Sequence, residues 1–192
     1  KSLDEYHALY DRSIKDPGAF VRTNVEGTRV LLDAARRHKV GRFLHVSTDE
    51  VYGSVARGHS RETDALMPNS PYAASKAASD HLVRSYHVTF GLDTVTTRCS
   101  NNFGPYQFPE KALPLMVTSW LQTLPFPLYG KGANVRDWIY VGDHVRAIEL
   151  LLKRGKAGEV YNIGGTASLA NHQLVEKVRR IMGVPDGLIK RV

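Results

Sequence analysis

Apolar residues recur along this chain with two periods that alternate. No period is evident over residues 1 to about 13. Asp16-Pro17 then opens a helix, with an acid at the cap and proline at the first helical position. Val21, Val25, Thr28, Leu32 and Ala35 follow at spacings of four and three, and Arg22, Glu26, Arg29, Asp33 and Arg36 fall on the other face. This pattern predicts one amphipathic helix over about 17–38, closed by Gly41. Phe43 to Ser47 reads as a short strand of the kind buried in a parallel sheet. Ser70-Pro71 caps a second helix that runs to Phe90 and closes at Gly91. Further elements are a strand at 94–97, a polar loop from Cys99 to Pro105, a helix at 112–122, and short strands at 127–129 and 138–141. Asp143 is expected to cap a helix with Val145, Ile148, Leu151 and Leu152 inward; a strand at 159–163 and a helix at 171–182 follow. Strands alternating with helices predict a parallel α/β sheet. Beyond Gly104 to Lys111 the elements become shorter and loopier, which suggests a second, smaller lobe.

Composition changes this picture little. Of 192 residues, 42% are hydrophobic and 23% charged, as in a globular α/β protein. No apolar run approaches the ~18 residues of a membrane span, and Lys1 to Tyr6 contains no apolar signal region. A single cysteine, Cys99, excludes an internal disulfide framework and fits a reducing compartment, so a cytoplasmic location is expected. The net charge of +7 is spread rather than striped, which favours an anionic small ligand over nucleic acid. The eight histidines show no metal-binding spacing, and no Gly-x-Ser-x-Gly elbow occurs, so neither a metal site nor a serine hydrolase is expected.

The candidate chemistry lies in two places. Thr48-Asp49-Glu50 follows a buried strand directly, and Cys99-Ser100-Asn101-Asn102 follows another, so both loops belong at the carboxyl edge of the sheet, where α/β proteins bind ligands. Tyr72 and Lys76, four residues apart, share a helix face. A free phenol, with a pKa of ~10, is a poor base at neutral pH, and a nearby ammonium is expected to favour its phenolate. Ala73, Ala74, Ala77 and Ala78 make that helix thin enough for a cofactor or another backbone to approach. Singly, the acid pair reads as a solvated loop and Tyr-x-x-x-Lys as chance. Together they supply a redox base and an acid/base pair, enough to oxidise a sugar and eliminate water from it.

Ser47 to Gly53, Asn69-Ser-Pro-Tyr-Ala-Ala-Ser-Lys76, Arg98 to Lys111 and Asn134-Val-Arg-Asp-Trp138 resemble the dTDP-glucose 4,6-dehydratases of the extended short-chain dehydrogenase/reductase superfamily. Asp11 to Ile14, Thr23 to Thr28 and Tyr161 to Gly165 match as well. The resemblance implies a Rossmann-type parallel sheet flanked by helices, with residues 1–108 in the NAD-binding part and 109–192 in a nucleotide-sugar lobe, their elements interleaving. It implies that Tyr72 deprotonates the sugar 4-hydroxyl while hydride passes from C4 to NAD. Lys76 would hold Tyr72 and the cofactor ribose, and Thr48 would bind near the 4-oxygen. Glu50 would remove the C5 proton, Asp49 would protonate the departing 6-hydroxyl, and hydride would return to C6. Cys99 and Asn102 match cofactor-side positions. Asn101, Lys111, Arg136 and Asn171 match positions around the diphosphate, and Tyr129 matches the residue that stacks on the base. Arginine, asparagine and tyrosine suit those tasks as forked donor, neutral donor and flat apolar face.

The chain departs from the family in one respect. No Gly-x-Gly-x-x-Gly or Gly-x-x-Gly-x-x-Gly turn occurs, so the unit that cradles the pyrophosphate is expected to precede Lys1, and the 192 residues alone are expected to bind NAD poorly. Glu5 to Tyr10 also differs from the small-residue stretch of the family. The helices at 17–38 and 71–90 each carry a face that could meet a second copy, so a homodimer is expected. The alternatives are a related nucleotide-sugar epimerase or decarboxylase, which has no use for Asp49 and Glu50, and a noncatalytic sugar-nucleotide-binding domain.

Overall fold

In the computed structural model, residues 13–55 and 58–192 are described; Asp11 and Arg12 of the first matching motif, and Glu5 to Tyr10, lie outside them. Contacts divide the chain into two units.

The first unit comprises, in its described part, Ser13 to Ser100 together with Gly142–Ile163. Its sheet is wholly parallel: β1 (Phe43–Thr48) and β6 (Val160–Ile163) flank β2 (Thr94–Cys99). The predicted opening helix is three segments: α1 (Pro17–Phe20), a π-helical turn at Val21–Glu26, and α2 (Gly27–Arg37). Asp16 caps it as expected, its carboxylate accepting from the Ala19 amide at 3.1 Å. The π turn inserts a residue into the helical phase. As a result Thr28, Leu32 and Ala35 are buried as the stripe requires, but Val21, upstream of the insertion, is 52% exposed. Leu32 and Ala35 meet Val83, Tyr86 and Leu92 of the helix α3 (Pro71–Phe90) and its exit. Complete burial of Leu32 contributes about 2 kcal/mol. Ser70 caps α3 through the Ala73 amide, and Gly91 ends it in the left-handed conformation.

The second unit comprises Asn101–Val141 and Gly164–Val192 in its described part. β3 (Asn101–Phe103) pairs in parallel with β5 (Val135–Tyr140), and β5 pairs antiparallel with β7 (Ala167–Ala170), a turn of direction the alternating pattern did not predict. β4 (Phe126–Leu128) pairs with β8 (Ile189–Arg191). The core of this unit is Met116 and Trp120 of α4 (Ala112–Leu121), Phe126, Leu128, and Val175 of α6 (Asn171–Met182).

The helix α5 (Val141–Arg154) starts two residues before its expected cap. Its inward positions are His144, Ala147, Ile148 and Leu151, at spacings of three, one and three, while Val145 and Leu152 face outward. The expected face was therefore rotated: His144, a polar residue, takes a buried position assigned to Val145. No described helix is long and apolar enough to cross a membrane.

Candidate active site

The site in the first unit is built where β1 ends. Thr48 is buried, and its hydroxyl accepts from the Glu50 amide at 3.3 Å, so the strand turns at once into a 3-10 helix spanning Asp49–Tyr52. This cap presents Asp49 and the exposed Glu50 at the carboxyl end of the sheet. Gly53 closes the turn at φ +79, where a Cβ would collide with the Met67 carbonyl, so no other residue fits without moving that backbone. Val51 and Tyr52 are buried against Ala77 of α3. The small residues of that helix thus serve close packing on the acid-bearing turn.

The same packing brings Tyr72 to the acids. Its hydroxyl bonds to Thr48 and lies within the field of Glu50, Cys99 and Asp49. Phe20 covers the ring edge-on at 6.1 Å, and Asn24 of the π turn donates to Ser75 at 2.9 Å, holding that turn against α3. Burial, and after it the negative charge of Glu50, pushes the Tyr72 phenol up to about 12, with the Thr48 bond acting weakly the other way. This corrects the expectation that the nearby Lys76 ammonium would favour the phenolate. The Lys76 ammonium donates instead to the Val46 carbonyl at 2.6 Å, and burial lowers its pKa although Asp80 opposes that shift. Cys99, the last residue of β2, directs its thiol to the Ser47 carbonyl at 3.4 Å.

Beneath these groups lies a polar cluster that sequence reading missed. Asp80, one turn beyond Lys76, is 5% exposed and pairs with Arg98, 6% exposed, at 2.9 Å; His45 lies 3.4 Å from its other oxygen. Burial raises the Asp80 carboxyl, but the Arg98 hydrogen bond and the nearby His45 and Ser47 outweigh it and leave the group below the usual range. Removing one partner of such a pair costs about 3–5 kcal/mol, because the other charge stays buried. The signal was the spacing Tyr72, Lys76, Asp80, which continues one helix face into the interior.

The remaining predicted residues lie in the second unit. Asn101 on β3 donates to the Asp137 carbonyl at 3.2 Å, and the neighbouring Asn102 carbonyl accepts from Gln107 at 2.8 Å. Lys111 is the residue before α4, and Arg136 sits exposed on β5. Asn171 begins α6, where its amide bonds the Asn134 carbonyl at 3.0 Å. The β3-β5-β7 sheet therefore carries Asn101 and Arg136, and Asn171 follows β7 directly. Tyr129 is 73% exposed just after β4.

A parallel sheet with a Tyr-x-x-x-Lys helix packed on an acid-bearing turn defines a Rossmann-type protein of the short-chain dehydrogenase/reductase kind. Comparison narrows the class. The family model for GDP-mannose 4,6 dehydratase matches residues 8–186, and the chain belongs to that family. It is 59% identical over 174 residues to the dTDP-glucose 4,6-dehydratase of Streptomyces antibioticus, covering 91% of this chain and 52% of that protein. Identity to the dTDP-glucose 4,6-dehydratase of Actinoplanes sp. is 56% over 182 residues, or 95% of this chain and 57% of the relative. Among solved structures, the dTDP-glucose 4,6-dehydratase of Streptomyces venezuelae with NAD bound superposes with a TM-score of 0.94 at 50% identity, covering 97% of this chain and 58% of that one. The UDP-glucuronic acid 4-epimerase of Bacillus cereus, with NAD and UDP-glucuronic acid, gives 0.85 at 30% identity over 90% and 55%. The chain thus spans little more than half the length of these relatives.

Proposed function

We propose that the protein to which this chain belongs converts dTDP-glucose to dTDP-4-keto-6-deoxyglucose with NAD as cofactor, a hydro-lyase reaction. The observation that carries this reading is the meeting of Tyr72, Thr48, Glu50 and Asp49 at the end of β1. An epimerase uses the tyrosine and lysine but has no task for two acids, so the pair favours dehydration over the related epimerase chemistry.

The side chains present fit the nicotinamide-ribose end of NAD. Lys76 spends one hydrogen on Val46 and keeps two donors for ribose hydroxyls, and Tyr72 and Cys99 lie beside it, with Asn102 assigned to the same cofactor by resemblance. Among the described residues no glycine-rich turn holds the pyrophosphate. Bound there, NAD would supply the hydride acceptor for C4 and the hydride donor for C6. Tyr72 takes the proton of the 4-hydroxyl, with Thr48 holding the oxygen. The resulting ketone acidifies C5, and Glu50 removes that proton. Asp49 delivers a proton to the 6-hydroxyl as it leaves. Two adjacent acids with opposite proton tasks need separate environments. Glu50 is exposed and Asp49 half-buried, which is a difference of the required kind.

We assign Asn101, Lys111, Arg136 and Asn171 to the diphosphate and Tyr129 to the base. The exposed Leu31 on α2 and Val88 on α3 suit a homodimer through these helices, and a monomeric mass in solution contradicts that assignment. A cytoplasmic location accords with the lone thiol. The reading is tested by incubating the intact protein with NAD and dTDP-glucose and following the alkali-induced absorbance of a 4-keto sugar. Its appearance is expected; release of an epimer without that absorbance contradicts the reading.

A further inference from the structure

Ser47, Arg98 and Asn162 stand in one register row across the parallel sheet, directly beneath the site. Arg98 is central, and its guanidinium reaches two different elements. Nε donates to Asp80 on α3 at 2.9 Å. One terminal nitrogen donates to the Tyr52 hydroxyl at 2.8 Å and lies 3.4 Å from the Glu62 carbonyl. Tyr52 is the last residue of the turn that carries Asp49 and Glu50, and its ring lies 4.9 Å from the guanidinium carbon. The Tyr52 hydroxyl donates onward to Asn162 at 2.7 Å. Asn162 is fixed in turn by the Ser60 carbonyl at 3.0 Å and, through its amide, by the Glu62 carboxylate at 2.9 Å. Beside the Tyr72–Thr48 bond, this side chain gives a second polar connection from the Tyr72 helix to the acid turn, through buried groups.

We propose that Arg98 is a positioning residue that sets the Asp49–Glu50 turn in register with the Tyr72–Lys76 helix, one arm of its fork on Asp80 and the other on Tyr52. The inference deepens the dehydratase reading and rests on it for the steps the two elements perform. Geometry explains why arginine stands here. A planar fork satisfies two partners in fixed directions, whereas a lysine ammonium at the same place serves the Asp80 charge and abandons Tyr52. The two arms therefore affect different chemistry. Loss of the Tyr52 arm leaves α3 anchored and frees only the acid turn, so elimination suffers and C4 oxidation does not.

The test uses the intact protein with Arg98→Lys, Tyr52→Phe and the double variant. An Arg98→Ala variant would strand Asp80 and is avoided. Two partial reactions are followed in single turnover: reduction of bound NAD, and exchange of the substrate C5 hydrogen with solvent. Each single variant is expected to slow C5 exchange roughly tenfold relative to oxidation, the scale of a small misplacement of a catalytic group. The double variant is expected to be no slower than Arg98→Lys, because both changes cut one link. Equal loss in both partial reactions, or multiplicative losses in the double variant, overturns the proposal. Amide hydrogen exchange supplies a readout independent of turnover. The Gly53 and Met67 amides, which close the acid turn onto Glu50 and Val51, are expected to exchange about tenfold faster in both single variants while the α3 amides stay unchanged. Unchanged exchange at Gly53 and Met67 overturns the proposal even where the wild-type protein fails to dehydrate dTDP-glucose, a result that would count against the dehydratase reading alone.

Discussion

At the end of β1, Thr48 caps the acid turn and bonds Tyr72, and Lys76 is tied to Val46, all above a buried Asp80–Arg98 pair. Around β4 and β5, by contrast, Tyr129 stands largely in solvent and Arg136 occupies an exposed strand position. The first set is held before any ligand arrives, as groups acting on a transition state need to be. The second set offers charge and a flat face on a surface, which suits recognition of a long, anionic handle. The contrast accords with the proposal that one unit governs rate and the other affinity.

Substitutions can break that assignment. The largest effect is expected for Tyr72→Phe, which removes the proposed base and should lower kcat by roughly 10³-fold with KM little changed. The pH profile sharpens the same point. With the phenol pushed up to about 12, the base is mostly protonated near neutrality, so the rate of C4 oxidation should rise steadily with pH. A plateau beginning below about pH 8 would show that another cation poises Tyr72 in the working enzyme. The stability linkage has a definite sign: the raised phenol contributes stability fully below its ordinary value of 10.0, and that contribution is lost as pH rises through about 12. Smaller effects are expected at the other end. Arg136→Ala and Tyr129→Ala should each raise KM about tenfold with kcat nearly intact, the loss of one charged hydrogen bond or one stacked face. A fall in kcat from either would erase the distinction between the two sets.

Much of this was legible in the chain. Caps at Asp16 and Ser70, the glycine stop at Gly91 and the strands starting at Phe43 and Thr94 all follow from local chemistry, although the strands run to Thr48 and Cys99, one and two residues beyond their expected ends. The acid pair and the Tyr72–Lys76 pair were readable for the same reason. What escaped depends on contacts distant in sequence. The π turn at Val21–Glu26 shifts a helical phase with no glycine or proline inside it. The inward face of α5 turned on a buried histidine that periodicity counts as polar. The direction of the Lys76 ammonium depends on a carbonyl thirty residues away, and the high pKa of Tyr72 on its burial and on Glu50. Arg98 looked like one cation among many until Asp80 and Tyr52 were seen to converge on it.

The most direct test of the central claim is a single turnover of dTDP-glucose by the intact protein carrying Glu50→Gln, with the cofactor absorbance and the C5 hydrogen followed together. Tyr72 and Glu50 acting in sequence on one hexose predict that reduced cofactor accumulates, C5 keeps its hydrogen, and 4-keto-6-deoxy product falls by roughly 10²–10⁴-fold. Product formation at the wild-type rate, or loss of cofactor reduction itself, would contradict the account.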